Sequence, residues 1–283
     1  MPVRRQRDRS FRGAPPRRRQ SGAVSSAEAS RTLQTVAAPL SGVVGVDLTA
    51  PDAVKIIGAG SYGVAFRVRG LHHGTRQVVK ITTDPREAAA LYYLTFVVRS
   101  PAPVGLVRAA AVLDLGLRWG GENRDRKTGA YAIVREWLAD LDLYTDAQVA
   151  DETVLAALRT MAGVSKRTAA SAGAPYVSLV AAQQYRREAQ DTPWRDLFSL
   201  AQWLKSFGVT YYDWKPNNCG VRVHARGDDF DFVVHDLGMS YGVPAHVAPP
   251  DLTGLRDNPA APFDDPAVFD AALAMIPLLE DLA

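Results

Sequence analysis

The sequence predicts an α+β fold in which a small sheet with one helix is followed by a larger, mainly helical part. Alternating apolar residues and turn signals run through residues 44–138, as is typical of short strands. Residues 145–207 instead carry apolar side chains at helical spacing. With 283 residues, 47% of them apolar, the chain is long enough to bury a core in one large domain or in two smaller parts.

The N-terminal residues are rich in arginine. Residues 1–22 contain eight Arg and one Asp, whereas the rest of the chain is mildly acidic. Because large apolar side chains are scarce there, we expect a disordered arm, extended by a linker, over residues 1–43. The Arg-rich stretch 4–19 is expected to contact nucleic acid or a nuclear import receptor, or else to be a solvated tail with no specific partner.

No membrane segment is expected, because the sequence contains no run of 18 apolar residues and no apolar signal core. Cys219 is the only cysteine, which excludes an intramolecular disulfide and fits a reducing environment. The histidines show no metal-ligand spacing. These features predict an intracellular protein.

A glycine-rich segment lies between the first two predicted strands, at 54–57 and 64–68. It contains Gly58, Gly60 and Gly63. Glycines let a hairpin bring its backbone N–H groups close to phosphate oxygens. A dinucleotide-binding turn would instead lead into a helix. The motif alone is also compatible with a structural turn.

Lys80 lies within the third predicted strand, at 77–81. A lysine among apolar residues either extends to solvent or pairs with an anion. A helix is predicted to begin at Asp84, with Pro85 at its first position. Glu87 in that helix is the candidate partner of Lys80, the alternative being an exposed first-turn carboxylate that favours the helix dipole.

The remaining elements follow from apolar periodicity and turn residues. They are, in chain order, strands at 104–117 and 130–138, helices within 145–190 around a loop near 165–175, a helix at 194–207 that ends at Gly208, a hairpin turning near 226–228 and a last helix at 266–282.

Four polar residues carry the predicted chemistry of the C-terminal half. Asp213 can accept or orient a hydroxyl proton, and Lys215 can place a positive charge against a transferring phosphoryl group. Asn218 and Asp236 offer the oxygen ligands that Mg²⁺ prefers. Asp213 would otherwise be a turn residue before Lys-Pro. Together with the glycines and Lys80, this order describes a site that binds ATP and Mg²⁺ and transfers a phosphoryl group to a hydroxyl.

These motifs resemble those of the eukaryotic-type protein kinase superfamily, and of divergent, shortened Ser/Thr kinases like those of large DNA viruses. The resemblance runs from about residue 54 to 282 and is strongest over 197–221. It implies a two-lobed protein-kinase-like fold. A small antiparallel N-lobe with one helix would span 44–138, and a mainly helical C-lobe, truncated at its C-terminus, would span 139–283.

The resemblance also implies a role for each candidate residue. Gly58, Gly60 and Gly63 would form the phosphate loop, Lys80 and Glu87 the strand–helix pair, Asp213 the catalytic base with Lys215 beside it, Asn218 and Asp236 the magnesium ligands, and the backbone of Glu136 and Leu138 the contacts to adenine.

Several positions depart from the family pattern. Tyr211 and Tyr212 stand where His-Arg is usual, and Leu237 replaces the Phe of the magnesium-binding triplet. The strand lysine and helix glutamate are only seven residues apart, closer than is common. Only 47 residues follow Asp236, so we expect the helices that help dock protein substrates in this family to be missing. Without the usual Arg, we expect activity that does not depend on phosphorylation of the activation loop.

Three functions are compatible with these residues. The first is a Ser/Thr protein kinase that uses ATP and Mg²⁺. The second is a pseudokinase scaffold that binds nucleotide without turnover. The third is a kinase-fold phosphotransferase that acts on a small molecule, although Lys215 is unusual in such enzymes.

Overall fold

The computed structural model describes residues 25–70, 76–120, 127–140, 152–171, 173–224 and 230–252. Over these ranges the chain adopts the α+β fold that the sequence predicts. Its α-helices are α1 (Ser26–Val44), α2 (Pro85–Tyr92), α3 (Glu152–Ala162), α4 (Lys166–Ser171), α5 (Leu179–Glu188) and α6 (Trp194–Ser206). Its strands are β1 (Val54–Ala59), β2 (Gly63–Val68), β3 (Gln77–Thr82), β4 (Ala109–Gly120), β5 (Lys127–Glu136), β6 (Ala139–Asp140), β7 (Thr210–Tyr211), β8 (Cys219–Val223), β9 (Phe230–Val234) and β10 (Ser240–Tyr241).

Five antiparallel strands form a sheet, here called the N-terminal sheet, in the order β1-β2-β3-β5-β4. Val78, Val79 and Ile81 of β3 are all buried, because side chains cover both faces of the sheet. Lys80 lies between them and pairs with Ala65 on β2 and Ile133 on β5. The central strand therefore carries one charged residue into an otherwise apolar layer.

Helix α1 covers one face of the N-terminal sheet, which corrects the expectation of a disordered arm and linker over 1–43 for residues 26–43. Leu33, Val36 and Leu40 recur at helical spacing and are buried against the sheet. Burial of this apolar face offsets the entropy of ordering the segment. Residues 1–24, which include the Arg-rich stretch 4–19, lie outside the described residues.

Helix α2 begins where the sequence predicts. The side chain of Asp84 accepts a hydrogen bond from the N–H of Arg86, and Pro85 occupies the first helical position. A π-helical turn, Tyr93–Val97, extends the helix. Leu91 and Leu94 pack into the core that continues from this face of the sheet into the helical part.

The helical part is built around α3, α5 and α6, with α6 at its centre. Leu197, Leu200 and Leu204 on one face of α6 are buried, as the sequence predicts. Gly208 follows that helix with a φ of 73°, a conformation that glycine adopts without strain. The predicted loop near 165–175 contains the short helix α4, which corrects that expectation.

Two small sheets complete the described structure. β10 pairs with β7, and β6, β8 and β9 form a three-stranded sheet. The predicted β8–β9 hairpin is present, although its turn at 226–228 lies outside the described residues. The predicted last helix at 266–282 also lies outside them. No helix in the described ranges is long and apolar enough to cross a membrane.

The chain passes between the two parts more than once. It first leaves the N-terminal sheet after β5, through residues 137–138. Near the end of the described chain it returns to the sheet, where the N–H of Asp114 on β4 donates to the carbonyl oxygen of Pro250 at 2.9 Å. Leu252 is fully buried in the apolar cluster under α1. Residues 250–252 therefore lie along the outer edge of β4.

Candidate active site

Lys80 connects the N-terminal sheet with the helical part. Its side chain is only 12% exposed. The ammonium group contacts the Glu87 carboxylate and donates to Oδ2 of Asp236 at 3.0 Å. Asp236 lies in the segment that follows β9. The structure thus brings together three charged residues from distant parts of the sequence.

Glu87 reaches Lys80 because only two residues separate β3 from α2. The Asp84 cap starts the helix at once, so Glu87 falls in its first turn. The Glu87 side chain is 2% exposed. Its Oε2 accepts a hydrogen bond from Oγ1 of Thr82 at 3.0 Å. The tight strand–helix connection accounts for the unusually short interval between the lysine and the glutamate.

One ammonium group serves two carboxylates. Burial raises the pKa of Glu87 to about 7, although Lys80 opposes that shift. Burial also acts to raise the pKa of Asp236, but Lys80 and the N–H of Gly238 bring it below its ordinary value. For Lys80, burial acts to lower the pKa, and the two carboxylates raise it overall. Lys80 and Asp236 therefore stay charged at neutral pH, whereas Glu87 is the group that takes up a proton.

The loop after β7 holds Asp213, Lys215 and Asn218 together. Nδ2 of Asn218 donates to Oδ2 of Asp213 at 2.9 Å and to its carbonyl oxygen at 3.0 Å. The Lys215 ammonium contacts the same Asp213 carboxylate oxygen. The Asp213 side chain is 30% exposed and that of Lys215 is 46% exposed. The loop therefore presents a carboxylate and an ammonium group to solvent.

Three residues that sequence reasoning did not assign to the site shape this loop. The Tyr211 hydroxyl donates to the Asp213 carbonyl oxygen at 2.8 Å. The buried indole of Trp214 donates to the Tyr211 carbonyl oxygen at 3.0 Å. Arg159 on α3 donates to the Trp214 carbonyl oxygen at 2.8 Å. Trp214 reads as a packing residue in the sequence, and no local signal links Arg159 to a loop 55 positions away.

The β8–β9 hairpin places Asn218 beside the segment that carries Asp236. The N–H of His235 donates to the Asn218 carbonyl oxygen at 2.9 Å, and Cys219 pairs with Val234. Burial raises the pKa of Tyr211 well above its ordinary value, with smaller contributions from Cys219, Asp236 and Asp213. The Lys80 and Asp213 groups are therefore parts of one site.

The donor set of this site fits Mg²⁺. The amide nitrogen of Asn218 is used by its contacts to the loop, so Oδ1 is the atom left for a cation. Asp236 adds a carboxylate that is 34% exposed. Mg²⁺ is often held by one or two protein oxygens, with waters and phosphates as its other ligands. The described residues contain no group of three or more His, Cys, Asp or Glu side chains arranged to hold a metal.

The predicted phosphate-binding glycines lie at the β1–β2 hairpin, with Gly58 near the end of β1, Gly60 in the turn and Gly63 at the start of β2. The N–H of Gly60 donates to the Gly63 carbonyl oxygen at 2.8 Å. A Cβ on Gly58 would meet no atom within 4 Å, so this backbone is open to approach. A Cβ on Gly63 would lie 2.5 Å from the Ile81 carbonyl oxygen. Gly63 is therefore required for packing, whereas Gly58 and Gly60 leave the backbone accessible.

A cavity of about 200 Å³, here called the base cavity, lies between this turn and β8. Its wall is mostly apolar on the sheet side, where Ala65 and Val78 contribute, and Leu138 lines it where the chain leaves the sheet. Asn217 and His235 bring it next to Asn218 and Asp236. Cavities of about 530 and 800 Å³ lie beside α5 and α6 and beside α1, and none of the candidate site residues lines them.

The two residues expected to contact adenine are placed differently from each other. Leu138 lines the base cavity. The Glu136 side chain points away to a buried ion pair, in which its Oε2 accepts from Nε of Arg222 at 3.0 Å. The Glu136 carbonyl oxygen accepts from Nη1 of Arg135 at 3.1 Å. Sequence reasoning gave neither arginine a role, although Arg135 stands directly before Glu136 in the stretch that resembles the hinge.

No protein-family model matches this chain, and a search of curated proteins finds no match. A functional assignment therefore depends on the geometry of the site.

Proposed function

We propose that this protein is a magnesium-dependent phosphotransferase of the Ser/Thr protein kinase type, with ATP as the donor that the sequence resemblance implies. The observation that carries the proposal is the contact of Lys80 with both Glu87 and Asp236, next to the paired Asp213 and Asn218. A phosphoryl-transfer site needs a cation for the phosphates, oxygen ligands for the metal and a carboxylate for the acceptor hydroxyl.

The proposal includes a protein-kinase-like arrangement of two lobes. The N-terminal sheet with α2 corresponds to an N-lobe over residues 44–138, and the helical part to a C-lobe over 139–283. The base cavity would hold the purine where the chain crosses between the lobes. The triphosphate would extend under the glycine turn towards Lys80. Two lobes joined by a short segment can close on a substrate that binds between them.

The N-lobe residues would bind and orient the triphosphate. The Lys80 ammonium neutralises phosphate oxygens, and Glu87 holds the lysine side chain in a fixed direction. The backbone at Gly58 and Gly60 carries no side chain that would keep phosphate oxygens away, and the Gly60 N–H is held by its bond to the Gly63 carbonyl oxygen. Fixing the donor in this way supplies much of the rate, because little covalent chemistry remains for the protein to perform.

The C-lobe residues would act on the acceptor and the metal. Asp213 accepts or orients the proton of the attacking hydroxyl, and Lys215 lies beside the transferring group. Asn218 and Asp236 would hold Mg²⁺, which would offset the negative charge of the phosphates. Asn218 also fixes the Asp213 carboxylate through its amide nitrogen, so metal binding and base orientation share one side chain.

Buried contacts hold the catalytic loop in place. Tyr211 occupies the position where the family pattern has His, and its hydroxyl contacts both Asp213 and Asn218. Trp214 and Arg159 hold the loop through hydrogen bonds to its backbone carbonyl oxygens. Because these contacts need no phosphate to complete them, we propose that activity is independent of phosphorylation of the segment after Asp236.

The test is transfer from γ-radiolabelled Mg-ATP to a panel of protein acceptors by the purified full chain. Asp213→Asn should lower transfer by about 10²- to 10⁴-fold, the range for a single acid–base group, with thermal unfolding unchanged. Asp191→Asn, at an exposed turn between α5 and α6, is the matched control and should retain the wild-type rate. Lack of transfer by wild type, or equal transfer by Asp213→Asn, contradicts the proposal.

The same assay separates the two alternative functions. Binding of Mg-ATP without transfer to any acceptor would favour a pseudokinase scaffold. Transfer to small hydroxylated compounds, but not to proteins, would favour a small-molecule phosphotransferase. If Asn218 and Asp236 act as proposed, chelation of Mg²⁺ by EDTA should abolish transfer, and re-addition of Mg²⁺ should restore it.

We also propose an intracellular, nuclear location that depends on residues 4–19, through contact with nucleic acid or an import receptor. Deletion of residues 1–22 should then disperse a fluorescently tagged protein from the nucleus. If deletion changes neither localisation nor salt-dependent retention on DNA, this proposal is wrong.

A further inference from the structure

The cavity of about 530 Å³ beside α5 and α6, here called the α5–α6 cavity, lies outside the proposed active site. Its volume falls within the roughly 300–1,000 Å³ that ligand pockets usually occupy. Phe198 of α6 contributes to its wall and is 1% exposed. The other lining side chains are all polar or charged: Gln183, Arg186, Arg187, Gln190, Arg195 and Ser199.

Helical spacing brings these polar side chains to one cavity. Arg186 and Arg187 follow Gln183 by three and four residues, so the three share one side of α5. The opposite side of α5 is buried, because that helix packs against α3. Arg195 lies in the first turn of α6, four residues before Ser199. Two helices therefore direct three guanidinium groups towards the same space.

The carboxylates of this region are kept off the cavity wall. Residues 179–199 contain three arginines and three carboxylates. None of the carboxylates lines the cavity: Glu188, Asp191 and Asp196. Arg195 is 3.7 Å from the Asp196 carboxylate. Arg186 and Arg187 form no ion pair with any residue that the structure describes. The wall is therefore cationic, although the segment as a whole is balanced.

The donors on this wall favour an anionic ligand. Arginine stays protonated, and its planar group fits carboxylate and phosphate oxygens. The glutamine amides and the Ser199 hydroxyl add neutral donors. All three arginines are exposed, so each contact with an anion is weak by itself. A ligand that binds here needs several anionic groups.

Two exposed aliphatic side chains extend the cavity wall along α5. Leu179 and Val180 are 53% and 73% exposed. They precede Gln183 by four and three residues, which places them towards the side of α5 that lines the cavity. An aliphatic strip beside a cationic cavity fits a polypeptide that carries both apolar and acidic residues.

A nucleic acid fits this surface less well. It needs cations spread along its backbone or exposed aromatic faces for its bases. The three arginines are instead confined to one cavity, and Phe198, its aromatic residue, is buried.

We infer that the α5–α6 cavity docks an acidic segment of the protein acceptor, with carboxylates on the three arginines and an apolar side chain on the strip of Leu179 and Val180. The inference rests on the proposed function in assuming that the acceptor is a protein. The cavity borders the start of α6, whereas the Asp213 loop follows the other end. The 13 residues of α6 span about 20 Å, which an extended chain covers in about six residues.

Fluorescence anisotropy of labelled peptides with the full chain measures docking without transfer. Each peptide carries one acceptor serine, a Gly-Ser spacer of about twelve residues and a leucine beside a run of Asp, Asn or Lys. The Asp peptide should bind about 3- to 100-fold more tightly than the Asn peptide, since each exposed ion pair contributes at most about fivefold. The Lys peptide should bind no more tightly than the Asn peptide.

Variants connect the preference to the arginines. Arg186→Met with Arg187→Met should weaken binding of the Asp peptide by about 2- to 25-fold. In the transfer assay the same change should raise KM for that peptide and leave kcat unchanged, because the contact is equal in the ground and transition states. Arg186→Glu with Arg187→Glu should shift the preference to the Lys peptide. Arg31→Met with Arg69→Met removes two exposed arginines elsewhere and should keep the wild-type affinity.

The outcomes separate this inference from the proposed function. Equal affinity of wild type for the Asp and Asn peptides would overturn the inference and leave phosphoryl transfer standing. Undiminished binding of the Asp peptide by the Arg186 and Arg187 variants would also overturn it. So would tighter binding of an oligothymidylate that these variants lose, because the surface would then bind nucleic acid. Arginine-dependent binding of the Asp peptide without any transfer would support the docking site and contradict the proposed function.

Discussion

The ion pair between Arg222 and Glu136 holds the end of β5 against β8. Both side chains are less than a tenth exposed, at 9% and 8%. Besides its contacts to Glu136, the guanidinium donates to the carbonyl oxygens of Val104 and Leu106 at 2.8 and 3.1 Å. Removal of this one side chain therefore leaves the buried Glu136 carboxylate without its cation, although the Arg108 N–H still donates to it, and leaves two carbonyl oxygens without this donor. It also takes a cation from Asp231, 3.3 Å from Nη1.

We expect Arg222→Met to lower the free energy of unfolding by about 3–5 kcal/mol, the cost of breaking a buried ion pair from one side. That is a large part of the roughly 5–15 kcal/mol that keeps a typical domain folded. With a urea dependence of about 3 kcal/mol per M, a loss of about 4 kcal/mol lowers the unfolding midpoint by about 1.3 M. Arg222→Met combined with Glu136→Leu removes the orphaned carboxylate and should recover part of that loss.

Urea unfolding followed by tryptophan fluorescence measures this effect. Arg195→Met is the matched control, because Arg195 is 63% exposed and lies 3.7 Å from the Asp196 carboxylate. The control should change the free energy of unfolding by less than about 0.5 kcal/mol. A midpoint shift below about 0.3 M for Arg222→Met would refute the reasoning, since the pair would then contribute little.

Three further predictions follow from local contacts. Because burial raises the pKa of Glu87 to about 7 from an ordinary value of 4.5, the folded protein binds this proton more tightly than the unfolded chain does. The protonated Glu87 contributes its full stability below pH 4.5, and this contribution is lost as the pH rises to about 7. Glu87→Gln should therefore flatten the dependence of the free energy of unfolding on pH, measured by urea unfolding at a series of pH values. Trp214→Ala should cost about 3–5 kcal/mol in the same assay, because its side chain is fully buried. Gly63→Ala should lower the melting temperature by several degrees because of the close Ile81 carbonyl oxygen, whereas Gly58→Ala should leave it unchanged.

The sequence predicts the N-terminal sheet and α2 because their signals are local. Apolar alternation marks the strands, and the Asp84-Pro85 pair marks the start of the helix. Helix α1 is missed because the Arg-rich arm before it dominates the composition. The sequence does carry its boundaries. The Ser25 hydroxyl caps the helix by accepting from the Glu28 N–H and also donates to the Glu28 carboxylate, and Gly45 ends the helix in a left-handed conformation.

The residues of the candidate site also fall into two groups, those with a local sequence signal and those without one. Lys80 and Asp213 stand in motifs that the chemistry itself makes recognisable. Arg159 and Arg222 do not, because each is recognised only through partners that folding brings to it. Arg222, for example, meets Glu136 across 86 positions and Leu106 across 116. A charged residue in a strand reads as exposed until its partners are known, since local pattern does not encode long-range pairing.

The return of residues 250–252 to the outer edge of β4 restricts how the molecule can open. It adds to the crossing at 137–138 and to the buried pair of Arg222 with Glu136, which also join the N-terminal sheet to the helical part. Rotation of the sheet away from the helical part would break the hydrogen bond from Asp114 to Pro250 and expose Leu252 to water. We therefore expect ligand entry and release to occur with movements of small amplitude.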